Sequence, residues 1–330
     1  MEKSAEQWIS EARNILVVCH IAPDGDAIGS LLGLGWVLHE LDKDHTLACA
    51  DALSPSYAYL PGSETIVRQS TEDHDLIIAL DCSDLKRLGT VYPRESLTTI
   101  PIINIDHHVT NSNFGTVNWV DPSVSSTAEV LTELVERLNI PFTPPMATCL
   151  LNGIVSDTCG FRTLNTTSHT LEAAIKLMAA GASLAEIAER IFNRRPLSSI
   201  CLWAKVIDRI SLDGRIILGE ITSAIRQESQ ASKYDDGGLA NFLITADEAD
   251  VVIVLAEKEN GLIDVSMRAR PGFDVSGVAV RLGGGGHPQA AGCTIEGALG
   301  EVRERVLAEI KGSLQEHAYS LAKQDDRSSP

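Results

Sequence analysis

Short apolar runs alternate with longer amphipathic stretches along the first half of the chain. Residues 14–20 (NILVVCH), 75–81 (DLIIALD) and 100–106 (IPIINID) have the length and composition of buried strands. Residues 27–41 carry Leu, Ile and Trp at helical spacing. This alternation of strand and helix predicts a parallel sheet flanked by helices.

Helical periodicity dominates the middle of the chain, and the pattern then changes to shorter apolar runs. Helices are predicted at 125–138, 144–155, 168–180 and through 183–210, and strands at 215–221, 250–256 and 262–267. We therefore expect an α/β protein with a parallel-sheet domain (1–190, helices on both faces) and a helical connector (191–212). A smaller α/β domain with a mixed sheet (213–316) and a disordered tail (317–330) are expected to follow.

Composition and charge narrow the possible partners. The chain has 330 residues, 44% of them hydrophobic, and no apolar run approaches the roughly 18 residues of a membrane span. No membrane association and a cytoplasmic location are therefore expected. The seven cysteines are scattered, which argues against a disulfide framework. A net charge of −18 argues against long duplex nucleic acid but leaves short anionic substrates open.

Acidic and histidine side chains recur where the predicted strands end. His20, Asp24 and Asp26 lie between the first strand and its helix, a position where turn and helix-capping roles are an alternative to function. Asp81 and Asp106 end two further strands, and three more side chains follow at His107, His108 and Asp157. Because parallel strands should bring these ends to one edge, the coincidence favours a common site.

Several carboxylates in one site repel each other unless cations compensate them. Mixed carboxylate and imidazole ligands suit Mn²⁺, with Co²⁺, Fe²⁺ or Mg²⁺ as alternatives. Two such ions side by side can activate water and stabilise both the entering and the leaving oxygen of a phosphoryl transfer. The sequence therefore predicts hydrolysis of a phosphate ester or anhydride with two divalent cations.

The chain resembles the DHH phosphoesterase family through residues 20–30 (HIAPDGDAIGS), 80–84 (LDCSD), 106–108 (DHH) and 156–167 (SDTCGFRTLNTT). Its second half resembles the DHH-associated domain through 265–270 (VSMRAR) and 283–292 (GGGGHPQAAG). Within the family it is similar to the NrnA group, which are oligoribonucleases that also remove a phosphate from adenosine 3′,5′-bisphosphate (pAp).

The resemblance implies a role for each motif residue. His20 and Asp24 would bind one manganese ion, and Asp26, His107 and Asp157 the other, with Asp81 shared between them. Asp106 would lie next to the metal ligands without binding a metal ion itself, and His108 would contact the scissile phosphate. The catalytic residues are therefore expected to be His108, Asp81 and Asp106. Cys159 departs from the family, whose members usually have Gly there.

The second domain is expected to bind the part of the substrate that is not hydrolysed. The implied binding residues are Arg268, Ser266, Gly285, Gly286 and His287. The glycine run could instead be a helix cap and turn, and Arg268 could be a solvated residue at a sheet edge. Arg162 could contact a phosphate or hold the loop that follows Asp157.

The function implied is hydrolysis of short oligoribonucleotides to mononucleotides, together with removal of the 3′-phosphate of pAp. The nearest alternative is a phosphodiesterase acting on cyclic di-AMP or linear dinucleotides such as pApA. An inorganic pyrophosphatase and a non-catalytic nucleotide sensor are the weaker alternatives. A homodimer is left open.

Overall fold

The computed structural model describes residues 3–70, 73–92, 99–232, 235–258 and 261–328, with side chains of the last helix described as far as Leu314. The chain divides into two compact units, Met1–Arg194 and Arg195–Pro330. This division falls inside the predicted connector, and the finer domain limits remain a prediction. Within the described ranges, no helix combines the length and the apolar composition that a membrane span requires.

The first unit is built on a parallel sheet of five strands. The strands are β1 (Asn14–Cys19), β2 (Asp44–Ala48), β3 (Leu76–Leu80), β4 (Ile102–Asp106) and β5 (Val117–Val120), in the order β2-β1-β3-β4-β5. Its helices are α1 (Ala5–Glu11), α2 (Gly25–Glu40), α3 (Thr127–Arg137), α4 (Pro144–Asp157), α5 (Ser168–Ala179) and α6 (Leu184–Ala188). A π-helical turn, Glu189–Asn193, follows α6, and 3-10 helices occupy Pro55–Tyr57, Ser63–Thr65 and Leu85–Leu88. Three of these strands and all four helices predicted before residue 183 are confirmed.

The second unit contains a mixed sheet of six strands. Its elements are α7 (Leu197–Ile207), β6 (Ser211–Asp213), β7 (Ile216–Ile221), α8 (Ser223–Glu228), α9 (Leu239–Leu243), β8 (Val251–Glu257), β9 (Leu262–Ala269), α10 (Ser276–Arg281), β10 (Gly285–His287), β11 (Ala290–Glu296) and α11 (Leu299–Ser328). The strand order is β10-β11-β9-β8-β7-β6, and β7 and β8 are parallel while the other pairs are antiparallel. The predicted α/β class with a parallel and a mixed sheet is therefore confirmed.

Helix α2 packs closely against α4 because glycines lie at their contact. A Cβ atom at Gly29 would lie 2.6 Å from the carbonyl oxygen of Cys149, and one at Gly33 would lie 2.5 Å from the Leu150 side chain. Almost every residue of α2 is buried, as expected for a helix that is apolar on all sides. The two helices run antiparallel, so that α2 begins beside the end of α4.

The structure differs from the sequence prediction on one face of the first sheet. The face that carries Ile15, Val17 and Cys19 packs against the helices. On the opposite face, the described side chains that join the core come from the 3-10 helix Leu85–Leu88 and from loops, such as Tyr92 and Phe114. Helices on both faces were expected because buried strands are typically covered that way, but apolar loop residues bury this face equally well.

The structure also differs at the carboxyl end of the chain. Helix α11 continues to Ser328 and therefore includes most of the predicted disordered tail, 317–330, of which 329–330 lie outside the described residues. Disorder was predicted for this segment because its apolar content is low. Its Ala, Leu, Lys and Gln residues are nevertheless strong helix formers, and extending an existing helix adds one hydrogen bond per residue.

Candidate metal centre

The predicted site lies where β1, β3 and β4 end side by side in the first sheet. His20 follows β1, Asp81 follows β3, and Asp106 is the last residue of β4, so three strand ends deliver polar groups to one edge. All three side chains are buried. The convergence expected from the sequence is therefore present in the folded chain.

Asp24 and Asp26 reach this edge from the start of α2. Asp24 is the N-cap residue, and its Oδ1 accepts hydrogen bonds from the backbone N–H groups of Asp26 (3.1 Å) and Ala27 (3.0 Å). The capping role considered for Asp24 is thus real, yet the same Oδ1 also lies 3.8 Å from His20 Nε2. Capping orients this carboxylate without removing it from the site.

Asp26 is fully buried and is oriented by the start of α3. Its Oδ2 accepts a hydrogen bond from the N–H of Thr127 (2.7 Å), and its Oδ1 accepts from the N–H of Ala128 (3.1 Å) and the hydroxyl of Ser30 (3.2 Å). The N-terminus of a helix stabilises negative charge because its first N–H groups have no partner inside the helix. This arrangement holds Asp26 in one orientation.

Asp81 lies at the centre of the cluster, and its two oxygens face different histidines. Oδ2 lies 3.5 Å from His20 Nε2, and Oδ1 lies 3.6 Å from His107 Nε2. Oδ1 also accepts a hydrogen bond from the hydroxyl of Thr127 at 3.0 Å. A carboxylate placed in this way can contribute to two neighbouring ion sites at once.

A second group of potential ligands surrounds His107. Its Nε2 lies 3.3 Å from Asp157 Oδ2 and 3.9 Å from Asp26 Oδ2. Asp157 is the last residue of α4, whereas the sequence placed it just beyond that helix. The described side chains thus form two neighbouring sets that can each hold a metal ion, His20–Asp24–Asp81 and Asp26–His107–Asp157.

Asp106 and His108 form a pair beside these sets. Asp106 Oδ1 accepts hydrogen bonds from the His108 ring at Nδ1 (2.7 Å) and from the N–H groups of His107 (2.8 Å) and His108 (3.3 Å). Its Oδ2 accepts a hydrogen bond from Asn111 Nδ2. Burial lowers the pKa of His108, but Asp106 and the charge of Asp81 outweigh burial and raise it above the ordinary value. These contacts therefore favour the protonated form of His108.

Charge in the cluster is unevenly balanced. Burial opposes ionisation of Asp81, but its contacts with His20, His108 and His107 hold its pKa well below the ordinary value. By contrast, burial and the charges of Asp81 and neighbouring aspartates raise the pKa of Asp26 well above its usual range. The pocket therefore holds more negative charge than its own imidazoles can neutralise.

The donor atoms fit divalent cations. Two ligand atoms that are each about 2.1 Å from one ion lie roughly 3–3.5 Å from each other when the angle at the ion is a right angle or tetrahedral. The distances between histidine nitrogens and aspartate oxygens in this site are close to that range. His20 Nδ1 donates a hydrogen bond to the carbonyl of Ile21 (2.7 Å), which leaves Nε2 directed at Asp24 and Asp81. A second ring nitrogen bound to a carbonyl is the usual support of a metal-binding histidine.

The loop after Asp157 holds Cys159 in a backbone conformation that favours glycine. Cys159, Gly160 and Phe161 adopt φ values of 48°, 76° and 64°, the left-handed region in which glycine is preferred. Arg162 Nε donates to the carbonyl of Cys159 (2.7 Å), and its guanidinium lies 5.8 Å from the Phe192 ring centre. These contacts favour the loop-holding alternative for Arg162.

The predicted substrate-binding residues lie together in the second unit. Strand β11 pairs with both β9 and β10, so that Gly292 is opposite Ser266 and Gly285, and Ala290 is opposite Arg268 and His287. One of the two alternatives considered for this region is wrong. The first half of the glycine run does cap a helix, because Gly283 has a positive φ of 86° after α10 and the N–H of Gly284 donates to the carbonyl of Ala279 (2.7 Å), whereas Gly285–His287 form strand β10. Arg268 is not at a sheet edge, since β9 is an interior strand, and its side chain donates to Asn241 Oδ1.

Glycine is required at positions 284 and 286 because the chain there approaches β11 closely. A Cβ atom at Gly284 would lie 2.1 Å from the carbonyl oxygen of Gly292, and one at Gly286 would lie 2.5 Å from that of Ala290. Gly286 also has a positive φ of 136°. The run therefore has a structural requirement that is independent of any ligand.

Two residues of the site were missed by sequence reasoning. Thr127 contacts both Asp26 and Asp81, and Asn111 contacts Asp106. Thr127 stands at the start of a predicted helix, a position where Ser and Thr are common as caps. Its contact with Asp26 spans 101 residues of chain, which local patterns do not reveal.

Comparison with known proteins identifies the family of the chain. Residues 14–154 match the family model described as the DHH family, N-terminal domain, and residues 220–316 match the DHHA1 domain. The chain is 35% identical to the bifunctional oligoribonuclease and PAP phosphatase NrnA of Thermus thermophilus over 92% of its own length and 91% of that protein. The chain belongs to the DHH family.

Two other similarities are more distant. The cyclic-di-AMP phosphodiesterase GdpP of Geobacillus thermodenitrificans is 28% identical over 92% of this chain, which spans about half (48%) of GdpP. The crystal structure of an exopolyphosphatase-related protein from Bacteroides fragilis aligns with a TM-score of 0.82 at 24% identity and covers 96% of each chain. The latter likeness concerns the fold alone.

Proposed function

We propose that this DHH family member hydrolyses very short oligoribonucleotides to mononucleotides and removes the 3′-phosphate of pAp, using two divalent cations, with Mn²⁺ preferred. The observation that carries the proposal is Asp81, whose two oxygens face His20 and His107 from the middle of two potential ion sites. The name of the Thermus thermophilus relative supports the choice of substrates.

In this proposal His20 and Asp24 hold one cation, Asp26, His107 and Asp157 hold the other, and Asp81 contributes to both. Bound there, the cations supply a lower pKa for the attacking water and neutralise charge on the phosphoryl oxygens. The α3 N-terminus keeps Asp26 in place through two N–H groups. A fixed ligand orientation reduces the reorganisation needed in the transition state.

His108 is the proposed proton donor. Its Nδ1 is bound to Asp106, so that its other ring nitrogen, Nε2, is the one able to deliver a proton to the departing oxygen. Asp106 orients the ring and stabilises its charged form without touching the substrate. Asp81 would take part in the reaction through the cations it holds.

We further propose that Arg268, Ser266, Gly285, Gly286 and His287 bind the nucleotide that is not hydrolysed. The support is their common position in neighbouring rows of β9, β11 and β10. Binding energy from that nucleotide would orient the scissile phosphate. Arg268→Ala should therefore reduce kcat/KM for pApA more than for a simple nitrophenyl phosphodiester, and an equal loss on both would contradict this role.

The second candidate is a phosphodiesterase for cyclic di-AMP or linear dinucleotides, which the name of the GdpP relative favours. Both candidates use the same metal centre and differ in the substrate they accept. Inorganic pyrophosphatase activity and a non-catalytic sensor role are the remaining alternatives. A sensor would not need the six ligand-type residues to be in place, and all six lie in the two potential ion sites.

A substrate panel tests the proposal. Metal-depleted protein is incubated with pApA, pAp, cyclic di-AMP or pyrophosphate, with and without Mn²⁺, and the products are separated by chromatography. We expect Mn²⁺-dependent formation of AMP from pApA and pAp. Faster turnover of cyclic di-AMP would favour the second candidate, and no turnover of any substrate would refute an enzymatic role.

A further inference from the structure

Arg87 is a partly buried cation at the edge of the metal centre that the family motifs do not explain. It lies in the 3-10 helix Leu85–Leu88, which follows β3 and Asp81. Its carbonyl oxygen accepts a hydrogen bond from the N–H of Ile21 at 2.8 Å, directly beside His20. Asp84 caps this 3-10 helix by accepting from the N–H of Lys86 (2.7 Å). The backbone of Arg87 is therefore held at the strand ends.

The side chain of Arg87 is half-buried. Across residues 3–70, 73–92, 99–232, 235–258 and 261–328, no ion pair within 4.0 Å and no side-chain hydrogen bond involves its guanidinium. A half-buried arginine without an internal anion is suited to bind an external one.

The charge of the site favours such a cation. Five aspartates, at positions 24, 26, 81, 106 and 157, belong to the groups of potential ligands. A phosphate bound beside them adds further negative charge, and the protein as a whole carries a net charge of −18. A positive group at the position of the substrate would therefore stabilise the bound phosphate.

We propose that Arg87 binds the non-bridging oxygens of the scissile phosphate beside His20. This inference rests on the proposed function and adds a residue to its active site. The planar guanidinium can donate two parallel hydrogen bonds to a phosphate, which a lysine cannot do. Arg87 would then serve every phosphate substrate alike, whereas Arg268 would serve only nucleotides.

The test compares Arg87→Ala and Arg87→Lys with Lys86→Ala, an exposed neighbour whose loss changes net charge equally. For each Mn²⁺-loaded protein, kcat and KM are measured with pAp, pApA and bis(p-nitrophenyl) phosphate, and bound manganese is quantified. We expect Arg87→Ala to lose about 10- to 150-fold in kcat/KM on all three substrates. Arg87→Lys should recover part of this loss, and Lys86→Ala should stay near wild type.

Calorimetric titration with inorganic phosphate provides a readout that is independent of turnover. Phosphate should bind more weakly to Arg87→Ala than to wild type, while manganese content and thermal unfolding remain unchanged. Wild-type affinity for phosphate in Arg87→Ala would overturn the inference, as would a loss confined to pAp and pApA or a loss of manganese. A wild-type protein that binds phosphate but turns over none of the substrates would instead refute the proposed function alone.

Discussion

Replacing Asp106 by Asn tests whether His108 is a proton donor whose charged form is stabilised by Asp106. The substitution keeps the shape of the side chain but removes the charge that His108 Nδ1 contacts at 2.7 Å. Only one of the two atoms of an amide can accept, so either the donors at Oδ1 or the Asn111 amide at Oδ2 would lose a partner. A hydrogen bond to a charged group contributes about 1.5–3 kcal/mol, which corresponds to about 10- to 150-fold in rate.

The assay compares substrates that differ in the basicity of the leaving oxygen. For Asp106→Asn we expect the full decrease in kcat with pAp, whose departing oxygen must be protonated. A much smaller decrease is expected with bis(p-nitrophenyl) phosphate, whose nitrophenolate leaves without a proton. Removal of the Asp106 charge also lowers the pKa of His108, so the ring loses its proton at a lower pH. As pH is raised, activity on pAp should therefore fall at a lower pH than in wild type.

The matched control is Asp121→Asn, a carboxylate that follows β5 and accepts hydrogen bonds from Ser123 instead of from the site. It should leave both substrates unaffected. An equal decrease with both substrates, or loss of bound manganese in Asp106→Asn, would refute the argument. The first result would remove the proton-donor role of His108, and the second would make Asp106 a residue required for metal binding.

Three other outcomes are expected. Asp81→Asn should abolish turnover and lower bound manganese, measured by metal analysis, because it removes the one carboxylate that faces both ion sites. The pKa of His20 is about 10, so an incoming cation must displace a proton from its ring. The affinity for Mn²⁺, measured by calorimetry, should therefore rise with pH below 10. Equal affinity at pH 6 and at pH 8 would contradict this reasoning. In urea unfolding, Cys159→Gly should be about 1 kcal/mol more stable than Cys159→Ala, and the reverse order would contradict a left-handed φ.

Much of the fold could be predicted because its strands are short apolar runs that end in polar residues. The strands ending near His20, Asp81 and Asp106 were found in this way, and parallel pairing then brought the three ends together. Strands β2 and β5 were not found. Three of the five residues of β2 and one of the four of β5 are polar or charged, so no long apolar run marks either strand.

The candidate site was less completely predicted than the fold. The motif residues could be named because they follow strands or begin helices, and the structure brings all six of the proposed ligands together. Thr127 and Asn111 could not be named. Thr127 contacts Asp26 across 101 residues of chain. Threonine in a first helical turn and asparagine in a loop are both common without any function.

The antiparallel contact of α2 with α4 has a consequence for the spacing of the acidic groups. Asp26 lies in the first turn of α2 and Asp157 is the last residue of α4, so the glycine contacts between these helices determine how far apart the two carboxylates stand. At Gly29 the neighbouring atoms belong to the backbone of α4, so no change of side-chain rotamer could relieve a clash there. Even one methyl group added at Gly29 would push the helices apart and widen the gap between two groups that it never touches.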